Sequence, residues 1–181
     1  MRYLYLRQIG PVRFHIPLRQ VERMKNTCFR GQQLRLASNL HRWNSPREIF
    51  QDKLIIEYFK KWVETVSPEE FGGVNSGTVA YDASIGWSGT APIEEFDPSE
   101  LEVFHPNRNS SALRVRTDML HITAPKTNLL TFIFRARISD DFGQVVDMQS
   151  MYPGPDIGKL KGNISEREKV AFFDFNHPGQ L

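Results

Sequence analysis

Arginine and histidine side chains are the residues of this sequence best suited to phosphate chemistry. Arg135 and Arg137 lie two positions apart in one predicted strand. Arg114 and Arg116 have the same spacing in another. Alternate residues of a strand point to the same face of a sheet, and guanidinium groups bind phosphate through paired hydrogen bonds. If the two strands are neighbours, all four arginines converge on one face, with His121 farther along the strand.

Metal-independent cleavage of RNA needs a cluster of cationic side chains together with a histidine. A base takes the proton of the 2′-hydroxyl, an acid protonates the leaving oxygen, and cations stabilise the charge of the phosphorane. The arginines would act as phosphate and transition-state ligands, and a histidine as base or acid. The alternative is an exposed arginine face whose charges are paired with Asp or Glu. The predicted catalytic residues are His121, His15, Arg116, Arg135 and Arg137.

Most familiar catalytic motifs are absent from the sequence. It contains no GxGxxG, P-loop, HExxH, CxxC or nucleophile-elbow motif. No two of its histidines lie three or four positions apart, so a helical metal site has no support. We therefore predict no metal and no cofactor. The single cysteine, Cys28, excludes an internal disulfide framework and a Cys-based zinc site, and it suits a reducing compartment.

The strand that carries Arg135 and Arg137 belongs to the clearest hairpin in the sequence. Residues 129–138 are rich in β-branched and aromatic residues, residues 139–143 have turn composition, and residues 144–152 return as a second strand. Pro153 is expected to end it. We predict that this hairpin forms the centre of a sheet. The face opposite the arginines is predicted to consist of Leu130, Phe132, Phe134, Ala136 and Ile138.

The segments before the hairpin predict helices. Ser45, Pro46 and Glu48 form a capping box that opens a helix over residues 45–66 with one broad apolar stripe. Residues 18–40 predict one or two further helices, and residues 3–16 predict two short strands or one kinked strand. Residues 74–98 are predicted to be an acidic insertion or loop, and strands are predicted at 99–104, 112–123 and 169–175. The sequence therefore predicts one α+β domain over residues 1–181, with N-terminal helices packed on a mostly antiparallel β-sheet.

Charge is strongly segregated along the chain, although the formal net charge is only +2. Residues 1–65 carry a balance of +8, residues 66–104 carry −8, and residues 105–138 carry +5. The basic segments could bind a polyanion, or the acidic segment could lie across them or dock a basic protein partner. No apolar run approaches the roughly 20 residues of a membrane span, so we predict a cytoplasmic protein with no membrane association.

The run RVR…FRARISDDFGQVVDMQSMYPG resembles the C-terminal half of small RNase toxins of the barnase–EndoU–colicin–RelE group. The resemblance implies helices packed on a small antiparallel sheet and metal-independent cleavage of RNA, often tRNA. It also implies that Ser150 and Tyr152 contact phosphate or base at the sheet edge. His15 with Arg19 would match the family's histidine, which lies nearer the N-terminus.

These patterns favour an RNA-binding or RNA-cleaving protein, most concretely a metal-independent ribonuclease of toxin type. Trp87, flanked by glycine and serine, is the best candidate for an exposed aromatic side chain that stacks on a base. The alternative is a non-enzymatic interaction protein, such as a phage-type inhibitor, an immunity protein or an assembly subunit. The predicted substrate-binding residues are Arg114, Arg19, Ser150, Tyr152 and Trp87.

Overall fold

The structure, a computed structural model, describes residues 2–29, 46–156 and 170–174. Within these ranges it contains three helices and eleven strands. The helices are α1 (Leu18–Phe29), α2 (Pro46–Phe50) and α3 (Lys53–Thr65). The strands are β1 (Tyr3–Ile9), β2 (Val12–Pro17), β3 (Val74–Ala80), β4 (Gly86–Trp87), β5 (Thr90–Pro92), β6 (Leu101–Asn107), β7 (Ser110–Val115), β8 (Lys126–Thr127), β9 (Leu129–Ser139), β10 (Gly143–Pro153) and β11 (Val170–Phe172).

A five-stranded sheet in the order β1-β2-β10-β9-β3 forms the main body of the fold. Its strands pair antiparallel except β2 and β10, which run parallel. The β9–β10 hairpin occupies the inner positions, which confirms the prediction that it is central. Its turn uses Gly143 at a φ of +67°, a left-handed conformation that glycine adopts at little cost.

The helices cover one face of this sheet and form the larger core with it. The predicted apolar face of β9 is buried there, except Ile138, which is 64% exposed at the turn end of the hairpin. The ring of Phe132 is completely buried, with its centroid 4.9 Å from that of Tyr58 and 5.3 Å from that of Phe59. Burial of aromatic rings at these spacings stabilises the folded protein.

The remaining strands form a four-stranded sheet, β5-β11-β7-β6, and a two-stranded sheet, β4-β8. A smaller apolar cluster, which includes Val115, Ala171 and Phe173, packs on the four-stranded sheet. Residues 74–98, the segment predicted as an acidic insertion or loop, supply β3, β4 and β5 to the three sheets. The strand predicted over 112–123 ends at Val115 and continues as turns.

The α+β class is confirmed, but the helices do not form an N-terminal block, because the β1–β2 hairpin precedes them. The helix predicted over 45–66 is divided into α2 and α3. The side chain of Asp52 caps α3 by accepting a hydrogen bond of 3.0 Å from the backbone N–H of Leu54. The predicted cap at Ser45 and the helix beyond residue 29 lie outside the described residues. No helix in the described ranges is long and apolar enough to cross a membrane.

Candidate functional site

The face of the five-stranded sheet opposite the helices carries a cluster of polar and aromatic residues, which we call the open face. Strand register places Asp147 of β10 directly between His15 of β2 and Arg135 of β9. Tyr5 of β1 is the register partner of His15. The side chains of the open face that bear on function are those of Tyr3, Tyr5, Arg13, His15, Arg135, Arg137 and Asp147.

His15 and Asp147 form the centre of the open face. Nδ1 of His15 lies 2.7 Å from Oδ1 of Asp147, but the contact lacks the angular geometry of a hydrogen bond. His15 is 1% exposed and Asp147 is 6% exposed. Nε2 of His15 is likewise buried and has no hydrogen-bond partner among the residues that the structure describes. A buried imidazole with an unused nitrogen is costly for folding and is a group that a ligand could bind.

Arg137 is a second partner of the Asp147 carboxylate. Its Nε donates a hydrogen bond of 2.7 Å to Oδ2 of Asp147, and its Nη2 donates one of 3.3 Å to the hydroxyl oxygen of Tyr3. Burial alone would raise the pKa of Asp147, but the contacts with His15 and Arg137 outweigh it, so that pKa lies below its ordinary value. The hydrogen bond to Asp147 raises the pKa of Arg137. Asp147 is therefore a carboxylate that contacts a histidine and accepts a hydrogen bond from an arginine.

Aromatic rings cover the buried pair. The ring centroid of Tyr3 lies 4.3 Å from that of His15, and the centroid of Phe142, from the β9–β10 turn, lies 6.5 Å away. The guanidinium of Arg13 lies 4.7 Å from the ring of Tyr5 and 4.2 Å from the ring of Phe142. Both of these rings are more than 40% exposed. The open face thus presents cations and aromatic surface above a buried imidazole.

The low pKa of Asp147 predicts how stability depends on pH. Replacing Asp147 by asparagine should lower the free energy of unfolding at pH 7 by about 1.5–3 kcal/mol, the range for hydrogen bonds to charged groups. A carboxyl whose pKa is lowered by folding stabilises the protein above its unfolded pKa. That stabilisation disappears as the pH falls through the lower, folded value. The difference between the wild type and Asp147→Asn should therefore narrow below about pH 4. Urea unfolding at a series of pH values measures it.

Asp118→Asn is the matched control for this experiment. Asp118 also has a lowered pKa, from a hydrogen bond with Arg116, but the pair is exposed to solvent and screened. Its replacement should change stability little at any pH. An unfolding difference for Asp147→Asn that stays constant down to pH 3 would show that the carboxylate is not held ionised by its partners.

The predicted convergence of four arginines is wrong. Arg114 and the segment leading to Arg116 belong to the four-stranded sheet, whereas Arg135 and Arg137 belong to the five-stranded one. Arg114 is paired with Glu102 at 2.7 Å and also with Asp174. Strand propensity predicted β9 and, with an end placed too late, β7, but it does not reveal which strands become neighbours.

Arg116 bonds Asp118 through two parallel hydrogen bonds of 3.0 and 2.9 Å. That contact raises the pKa of Arg116. His121, in the turns after β7, is 71% exposed at its side chain, and its Nε2 lies 4.0 Å from Oε1 of Glu100. The structure therefore does not bring Arg116 and His121 to the open face.

The other residues predicted to bind substrate lie on different elements of the structure. In the described residues β10 pairs with β9 at Ser150 and Tyr152, whereas its pairing with β2 covers only Val145–Asp147, and Tyr152 is only 6% exposed. Ser150 follows a register shift in β10 and is partly buried. Arg19 is exposed on α1. Trp87 is partly buried against the smaller apolar cluster instead of standing free.

The sequence predictions missed the residues that surround His15. Tyr3 and Tyr5 alternate along β1, and Arg13 and His15 alternate along β2, so period-2 spacing was the available signal. Asp147 carried no signal of its own, because a single carboxylate in a strand is uninformative until its neighbours are known.

Among the described residues, no group of three His, Cys, Asp or Glu side chains is placed to hold a metal ion. No family model, curated protein or solved structure matches the chain.

Proposed function

We propose that this protein binds RNA on the open face of its five-stranded sheet and cleaves it there without a metal ion. The observation that carries the proposal is the buried His15–Asp147 pair, which is linked to Arg137 and contacted by the rings of Tyr3 and Phe142 on the face of the sheet opposite the described helices. Of the four arginines expected from the sequence to converge, Arg135 and Arg137 contribute to it, and Arg114 and Arg116 do not.

Binding would use the cations and rings together. Arg135 is exposed and forms no ion pair with another described residue, so it is available to a phosphate. The guanidinium of Arg13 lies beside the exposed rings of Tyr5 and Phe142. Cations that contact the backbone, together with rings that stack on bases, are the usual elements of single-strand recognition.

Cleavage would use the unpartnered nitrogen of His15. In the proposed step, Nε2 accepts the proton of a 2′-hydroxyl, the 2′-oxygen forms a bond to phosphorus, and the bond to the 5′-oxygen breaks. The leaving oxygen takes a proton from the hydroxyl of Tyr3, whose oxygen already accepts a hydrogen bond from Arg137. The guanidiniums of Arg137 and Arg135 stabilise the phosphorane charge. The products are a 2′,3′-cyclic phosphate and a 5′-hydroxyl.

This chemistry requires a local opening. Because Nε2 of His15 is buried beneath Tyr3 and Phe142, RNA can reach it only after a covering ring moves. Phe142 is the better candidate, since it lies at a hairpin turn and is 42% exposed.

The salt dependence of RNA binding tests the proposed surface. Replacing Arg135 by alanine should weaken binding and lower the slope of log affinity against log salt by about 1, because one phosphate contact is lost. Arg116→Ala removes the same charge just after β7 of the four-stranded sheet and should leave the slope unchanged. Fluorescence anisotropy with a labelled single-stranded RNA between 50 and 200 mM salt measures both. A wild-type protein that does not bind RNA at the lowest salt would refute the proposal.

A non-enzymatic docking protein is the second candidate, and the acidic segment favours it. Among the described residues of 66–104, the recorded ion pairs join Glu102 to Arg114 and Glu100 to His121, both beside the four-stranded sheet. Other acids of this segment are exposed, namely Glu69, Glu70, Asp82, Glu94, Glu95 and Asp97. Such a surface suits a basic protein partner. Expression from a plasmid separates the candidates, since a ribonuclease should be toxic to the host and a docking protein harmless.

A further inference from the structure

Tyr5, Arg13 and Phe142 form a stack that neither transfers a proton nor stabilises phosphate in the proposed cleavage step, and we call it the aromatic slot. We propose that the aromatic slot binds one unpaired nucleobase of single-stranded RNA. This inference rests on the proposed function and narrows its substrate class, because a base in a duplex is already paired and stacked on its neighbours.

The geometry of the aromatic slot fits a flat ligand. The guanidinium carbon of Arg13 lies 4.7 Å from the ring centroid of Tyr5 and 4.2 Å from that of Phe142. A guanidinium is planar and stacks on aromatic faces much as a base does. Arg13 therefore occupies, in the unliganded protein, a place in which a base could stack against Phe142 or Tyr5.

Unsatisfied polar atoms beneath the aromatic slot point to a ligand as well. Nε of Arg13 and Nε2 of His15 are both buried without a hydrogen-bond partner among the described residues. Burying such groups without partners is unfavourable, so a ligand that bonds to them gains affinity. The edge of a base or its phosphate could supply acceptors to Arg13. These atoms connect the slot to the proposed catalytic pair.

Occupation of the slot also explains how His15 becomes accessible. Phe142 contacts both Arg13 and, edge-on, the ring of His15. A base that stacks on Phe142 and shifts it away from His15 would uncover Nε2 at the same time. Base binding and exposure of the imidazole would then be one event, which restricts cleavage to RNA whose bases are free.

The test measures binding of an uncleavable probe, a single-stranded 2′-O-methyl oligoribonucleotide. Phe142→Ala should weaken its binding about tenfold, the effect of losing one base-stacking partner. Phe142→Trp should bind within about twofold of the wild type, because it keeps an aromatic face. Phe104→Ala is the matched control, since the ring of Phe104 lies 5.5 Å from the guanidinium of Arg114 on the other sheet, and it should bind normally.

The outcomes separate the aromatic slot from the proposed function. If the wild type binds the probe and Phe142→Ala binds it equally well, the slot is wrong, whatever the cleavage assay shows. A second arm uses a probe of the same length with the bases removed from its central nucleotides. Loss of the Phe142 effect on that probe supports base stacking, and an unchanged effect overturns it. Failure of the wild type to cleave unmodified RNA, with binding intact, refutes only the cleavage step.

Discussion

Replacing His15 by asparagine should lower the rate of RNA cleavage in EDTA at least a hundredfold. The asparagine amide can occupy the place of Nδ1 next to Asp147, whose Oδ1 lies 2.7 Å from that nitrogen. It has no group at the position of Nε2, the atom that accepts the 2′-hydroxyl proton in the proposed step. Loss of a general base typically costs 10²–10⁴ in rate. Single-turnover cleavage of a labelled RNA, with EDTA present, gives the rate directly.

Two controls make this result interpretable. Urea unfolding of His15→Asn, together with binding of the 2′-O-methyl probe, shows whether the variant still folds and binds. His121→Ala changes the exposed histidine beside the four-stranded sheet and should keep the cleavage rate within about twofold. A tenfold loss in His121→Ala, with full activity in His15→Asn, would move the catalytic role to the other sheet and contradict the present assignment.

Replacing Phe132 by alanine should lower the free energy of unfolding by about 3–5 kcal/mol, the usual cost of deleting a buried aromatic ring. Phe132 is completely buried, and its ring contacts Tyr58 of α3 and Phe134 of its own strand. The backbone of Gly77 packs directly on this ring, since an added Cβ at Gly77 would lie 2.6 Å from it. The cavity cannot close easily around so many fixed neighbours. Chemical denaturation at neutral pH measures the loss.

Ile138 provides the matched comparison on the same strand. Sequence alternation assigns it to the same face as Phe132, but it is 64% exposed near the hairpin turn. Ile138→Ala should therefore change stability by no more than about 0.5 kcal/mol. Equal losses at Phe132 and Ile138 would mean that the helices do not cover β9 as described.

The two faces of the five-stranded sheet have different consequences for function. Changes on the covered face alter the fold and reduce every activity in proportion to the amount of folded protein. Changes on the open face, at Arg135 or Phe142, should alter RNA binding with little effect on unfolding, since both side chains are exposed. Measuring stability and binding for each variant therefore separates the two kinds of effect.

The sequence by itself determined the local elements of this protein. Alternating apolar residues and the turn composition of 139–143 predicted β9 and β10, because strand period and turn chemistry depend on nearby residues alone. The sequence also places Ser67 and Glu70 at capping-box spacing, and in the structure the backbone N–H of Ser67 donates a hydrogen bond of 2.8 Å to Oε2 of Glu70. The buried face of β9 followed from the same alternation. These features need no knowledge of distant parts of the chain.

The tertiary structure alone decided which charged residues meet. Arg137 bonds Tyr3 across 134 positions of sequence, and Asp147 contacts His15 because β2 pairs with β10 in parallel. The same topology separates Arg114 from Arg135, although both lie in strands that the sequence predicted. Strand pairing depends on how all apolar faces are buried together, and a local pattern does not contain that information. The order of strands in the five-stranded sheet therefore brings the residues of the His15 site together.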